Sequence, residues 1–236
     1  MTTRIADISP RKAARVTGFA FIIMTISAIF TNFFVRQRLI VPGDAATTAN
    51  NIMANELLFR SSIPSWIIVL TCDVVVVLTL YILLKPVNKS LALITAWFRL
   101  VYTAIHGSAL INLIFILQLL SGADYLTVFE TDHLHALMLL FLNGRPYGFL
   151  IGSAFFGFHL FLLGYLVYKS GYLPRIFGVW LISASLFYLI DSSANFLLPN
   201  YEAYAAIFLL VGFATGFSEL FLGLWLLVKG VKVQQP

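Results

Sequence analysis

Six ionisable side chains sit inside long apolar stretches of this chain: Asp73, Arg99, His106, His159, Asp191 and Glu219. A charge in a lipid bilayer is costly, so such groups face a partner, a cavity or a substrate path. Carboxylates and imidazoles in that setting can hold a proton, bind a polar ligand or ligate a metal. A buried guanidinium needs a carboxylate, and Glu219 or Asp73 can supply it to Arg99.

Helical spacing sorts these residues onto faces. Arg99, Thr103 and His106 stand at i, i+4 and i+7 and share one. Gly148, Gly152 and His159 share another, and Gly148-x-x-x-Gly152 is a small-residue contact motif that turns His159 toward a neighbouring helix. Tyr188, Asp191 and Asn195 form a stripe. Gly212, Gly216, Glu219 and Gly223 line a further face. A rise of about 1.5 Å per residue puts Arg99 and Glu219 roughly 10–15 Å from the cytoplasmic boundary. The same rise puts Asp73 and His159 near mid-membrane, and His106 and Asp191 in the outer half. The expectation is a structural ion pair of Arg99 with Glu219, or with Asp73. A second expectation is an outward-opening polar pocket lined by His106, His159, Tyr188, Asp191 and Asn195.

Metal chemistry has weak support. His106, His159 and Asp191 could ligate zinc, but no H-E-x-x-H pattern is present, and no cofactor is expected. His133 and His135 are two apart and point away from each other on a helix. A lone cysteine, Cys72, permits neither an intrachain disulfide nor a cysteine metal site. No phosphate loop, dinucleotide fingerprint or serine nucleophile elbow occurs.

The elements that position these residues are membrane helices. Of the 236 residues, 60% are hydrophobic and 11% charged, against about 25% charged in a soluble domain. Mean hydropathy is +0.93. The fold class is all-α: a polytopic membrane bundle forming a single domain over 1–236. Six spans are expected at about 16–35, 63–84, 91–120, 147–168, 175–197 and 204–228, each near the roughly 20 residues that a crossing needs. Pro86, Pro146, Pro174 and Pro199 mark the breaks, and Pro64 fits a first turn.

Ten basic residues fall on the side of the termini: Arg4, Arg11, Lys12, Arg15, Lys85, Lys89, Lys169, Arg175, Lys229 and Lys232. Four fall opposite: Arg36, Arg38, Arg60 and Arg145. The bias predicts both termini in the cytoplasm. The acids Asp44, Glu56, Asp124, Glu130, Asp132 and Glu202 then lie outside. Two short interfacial helices are expected on the outer face, one capped by Asp44 and running to Arg60, the other capped by Thr131 and running to Leu142. The net charge of +5 is no nucleic-acid footprint, because it is not gathered into a run.

Four stretches, VPGDAATTANNIMANELLFR, LLKPVNKSLALITAWFRL, YGFLIGSAFFGFHLFLLGYLVYKSGYLPRIFGVWL and DSSANFLLPNY, resemble a bacterial family of uncharacterised membrane proteins, domain of unknown function 4386. The resemblance covers nearly the whole chain. It implies a multi-pass protein of the bacterial inner membrane and carries no activity, cofactor or catalytic residue. The expected function is a binding or transport protein whose pocket takes a small molecule, a lipid or a proton. The alternatives are an accessory subunit whose buried charges only fix helix packing, and an intramembrane metal-dependent lipid hydrolase. Membrane lipid is the expected partner, with a small-molecule or lipid ligand and no nucleic acid. The oligomeric state is left open.

Overall fold

The structure is a computed structural model that describes residues 8–231. Arg4 and Lys232, counted in the charge bias, lie outside the described residues, as does the side chain of Glu202. The described chain is helical almost throughout. The helices are α1 (Pro10–Ile29), α2 (Gln37–Leu39), α3 (Ala45–Ala54), α4 (Glu56–Leu84), α5 (Lys89–Ala109), α6 (Ile111–Leu119), α7 (Thr131–Lys169), α8 (Arg175–Leu197), α9 (Ala205–Gly216) and α10 (Ser218–Lys229). A π-helical segment, Phe30–Arg36, joins α1 to α2. Helices satisfy their own backbone groups, which is what a lipid environment demands.

Five runs among the described residues are long and apolar enough to cross a membrane: Pro10–Leu39, Glu56–Leu84, Lys89–Leu119, Thr131–Lys169 and Arg175–Leu197. The expected sixth span, 204–228, forms two 12-residue helices, α9 and α10, that meet at Phe217. The long third span is also divided, at Leu110, between α5 and α6.

Four expectations about helix ends are corrected. Asp44 does cap α3, accepting from the Thr47 amide at 2.8 Å and the Thr47 hydroxyl at 2.7 Å. However, α3 stops at Ala54, and residues 56–60 open α4 instead. The stretch 131–142 is no separate interfacial helix but the start of the 39-residue α7. Pro64 and Pro146 lie inside α4 and α7 rather than at their starts. A proline removes one N–H from the helical ladder, and the flanking bonds can carry the helix through it.

The described residues pack as two compact units. Among the described residues, one unit comprises 8–23, Cys72–Thr103 and 153–231. Close helix approach holds it. A Cβ on Gly18 in α1 would stand 2.6 Å from the Gly223 carbonyl oxygen in α10. Gly164 in α7 and Gly178 in α8 face each other, each Cβ position lying 2.7 Å from the other's carbonyl oxygen. Such backbone proximity is the usual device for packing helices in lipid. Gly216, expected on a contact face, meets no other helix within 4 Å of its Cβ position among the described residues. The hydroxyl of Thr17 donates to that of Thr79 at 2.7 Å, linking α1 to α4. Tyr172, in the turn before α8, donates to the Leu83 carbonyl, and burial pushes its phenol up to about 12.

The second unit comprises Met24–Thr71 and Ala104–Gly152. Its core gathers Leu39, Ile52, Phe59, Trp66, Leu113 and Met138. A Cβ on Gly148 would stand 2.6 Å from that of Ala109, so α7 and α5 touch there.

Candidate functional site

Two polar sites occur, one within each unit. In the first unit Arg99 is 1% exposed and bonds two carboxylates. Its Nε donates to Asp73 Oδ1 at 2.9 Å, and its Nη2 lies 2.7 Å from the same oxygen. Its Nη1 donates to Glu219 Oε1 and lies 3.1 Å from His159 Nε2. His159 Nδ1 lies 2.9 Å from the carbonyl oxygen of Thr95. A carbonyl can only accept, so Nδ1 carries a hydrogen and Nε2 accepts from the guanidinium. The Phe21 and Phe156 rings flank Arg99, 5.5 and 5.4 Å from its Cζ. Three helices, α4, α7 and α10, therefore bring Asp73, His159 and Glu219 onto Arg99 of α5, two carboxylates and one imidazole.

In the second unit an approximately 300 Å³ cavity is lined by Thr31, Asn32, Arg36, Ser62, Trp66, His106, Leu113, Arg145 and Phe149, with further apolar side chains. That is near the lower end of the range for small-molecule sites. The π-helical segment contributes Thr31, Asn32, Val35 and Arg36. Its wider turns have side-chain support: Thr31 and Asn32 donate back to the carbonyls of Ser27 and Ala28 at 3.0 and 2.9 Å. Segments of this kind are frequent at functional sites. His106, 2% exposed, packs edge-on against Trp66 and Phe149, with ring centroids 4.9 and 5.4 Å away. The Arg145 guanidinium lies 4.4 Å from the centre of the Trp66 ring.

Of the five residues expected to share a pocket, this cavity takes His106 alone. His159 has both ring nitrogens engaged in the charge network. Tyr188 packs on Phe156 at 5.2 Å. Asp191 accepts from the Tyr201 hydroxyl at 2.6 Å. Asn195 is half-buried near the end of α8. Among the described residues no three His, Cys, Asp or Glu side chains gather as a metal site, and His106, His159 and Asp191 form no such group. The polar and aromatic cavity residues missed in the sequence include Thr31, Asn32, Arg36, Ser62, Trp66 and Arg145. Arg145 sits beside Pro146, which reads as a helix boundary, so its guanidinium is easily taken for a loop anchor.

Long apolar helices with a buried charge network and an amphipathic cavity define the class: a multi-pass helical membrane protein with charged groups in its interior. The chain matches the family described as Domain of unknown function (DUF4386) over residues 16–230 and belongs to that family. An uncharacterised protein of Archaeoglobus fulgidus is 33% identical over 174 residues, covering 74% of this chain and 86% of that one. No solved structure matches the chain.

Proposed function

We propose that this is a binding protein of the cytoplasmic membrane that takes a small molecule or a lipid into the cavity around Trp66, His106 and Arg145. The observation that carries the reading is the composition of that wall. Its polar groups converge on an otherwise apolar space, the general character of a ligand site. Every lining residue except Ile40 belongs to one of the membrane-long helices. Of the five residues first considered, His106 is assigned to the ligand, and His159, Tyr188, Asp191 and Asn195 to support. The topology has six crossings with both termini inside, following the excess of basic residues on that side. The sixth crossing is α9 and α10 in series. In this orientation Arg36 and Arg145 belong to the outer side, so the cavity is loaded from there.

The structural alternative is favoured for one part of the molecule. Arg99, Asp73, Glu219 and His159 bond one another within a buried network, and such a network serves to hold helix register. We therefore read that network as a lock and the cavity as the binding site.

The test is extraction of small molecules that co-purify with the full chain, followed by mass spectrometry. Ser62 is 3% exposed and lines the cavity, so Ser62→Phe fills it. A compound retained by the wild type and lost from Ser62→Phe supports the reading. Identical extracts from both proteins overturn it.

A further inference from the structure

We infer that the cavity selects an amphiphile with one anionic head, a carboxylate or a phosphate monoester, and that Arg145 is the residue that recognises the head. This rests on the cavity being a ligand site. The first observation is charge. Arg36 and Arg145 both line the cavity, and no Asp or Glu does so among the described lining residues. A cationic head entering this space meets two guanidinium groups, and a neutral head makes no use of them. An anion is the complementary occupant.

The second observation is the way Arg145 is held. Its Cζ lies 4.4 Å from the centre of the Trp66 ring. An aromatic ring engages the face of a guanidinium, and the N–H groups lie in the guanidinium plane. That contact holds the guanidinium charge against the cavity wall. A guanidinium is planar, and its fork of N–H groups matches the two oxygens of a carboxylate or phosphate, which a lysine cannot do. Trp66 in turn rests against His106, so the three side chains form one rigid wall. The third observation is the rest of the lining. Val35, Leu39, Phe59, Leu113, Leu142 and Phe149 are apolar, and they suit a hydrocarbon chain rather than a hydrated inorganic anion.

The experiment is equilibrium binding to the detergent-purified full chain, read by scintillation proximity with tritiated decanoate, decyl phosphate and decanol, and with inorganic phosphate as competitor. The wild type is expected to bind decanoate or decyl phosphate about tenfold or more tightly than decanol. Preference for decyl phosphate points to a lipid-type phosphate head, and preference for decanoate to a fatty acid. Arg145→Gln should remove the preference, and Arg145→Lys should keep only part of it. Decanol binding as tightly as the two anions overturns the inference while leaving the cavity as a ligand site. Displacement by inorganic phosphate at similar concentrations also overturns it, since a free anion would then be the occupant. Binding of none of the four probes overturns both this inference and the reading of the cavity on which it rests. The wild-type comparison decides the matter even if an Arg145 variant fails to fold.

Discussion

Arg99 directs two of its nitrogens, Nε at 2.9 Å and Nη2 at 2.7 Å, onto a single oxygen of Asp73, Oδ1. The other oxygen, Oδ2, is buried and has no hydrogen-bond partner among the described residues. The guanidinium is therefore shared between two acids, with Nη1 turned to Glu219. Removing one member of a buried ion pair typically costs ~3–5 kcal/mol, because the other charge is stranded. Arg99→Ala strands two carboxylates, and Glu219→Gln strands none completely. Arg99→Ala should lower the thermal unfolding midpoint in detergent the most, Asp73→Asn less and Glu219→Gln least. Losses in Arg99→Ala/Asp73→Asn should fall short of the sum of the single losses. Strict additivity would show that the two residues do not act as a unit.

Gly164 and Gly178 bring α7 and α8 to backbone contact. A methyl at either position meets carbonyl oxygen, which cannot rotate away. Gly164→Ala and Gly178→Ala should each destabilise by about 1–3 kcal/mol, the usual range for overpacking. Gly216 is the internal control, because its Cβ position is open. Gly216→Ala should be neutral or slightly stabilising, since alanine is the better helix former. Thermal unfolding of the three variants side by side checks this. Equal loss in all three would contradict the packing described.

The cap on α3 should depend on pH. The side-chain and backbone bonds from Thr47 hold Asp44 below its ordinary value of 3.8. A carboxylate lowered on folding adds stability above its ordinary value, and that stability is lost as pH falls through the lowered one. Hydrogen-exchange protection of the first turn of α3, at Thr47 above all, should be constant from neutral pH down to about 4 and then fall. Asp44→Asn should keep the protection and abolish its pH dependence, because an amide caps without titrating. Unchanged protection at low pH in the wild type would contradict the cap.

The long helices were legible because a bilayer imposes a length of about 20 apolar residues on each crossing. Proline was the misleading signal. Pro146 reads as punctuation, yet α7 runs through it from Thr131 to Lys169. A break at Pro146 would leave Arg145 between elements, whereas the continuous helix holds it in the cavity wall. Depth along the helices offered Glu219 or Asp73 to Arg99. It could not show that one guanidinium reaches both, because side-chain direction depends on helix rotation and not on height alone. The same blindness explains the five residues expected in one pocket. Matching heights on α5, α7 and α8 did not reveal that His159 is taken up by Arg99 and the Thr95 carbonyl. The π-helical segment left no pattern in the sequence, since its cause is a local change of winding.

Ligand binding in the cavity is measured most directly by photo-labelling of the full chain in lipid nanodiscs with a diazirine analogue of decanoate, mapped by peptide mass spectrometry. A ligand seated in the cavity predicts labels on cavity residues of four segments, 31–39, 59–66, 106–113 and 142–149, with loss of those labels in Ser62→Phe and under excess decanoate. Leu57 and Val228 are 83% and 76% exposed and report simple contact with lipid or detergent. Labels confined to such exposed positions, unaffected by Ser62→Phe or by competition, would contradict the claim that this protein binds a ligand in its cavity.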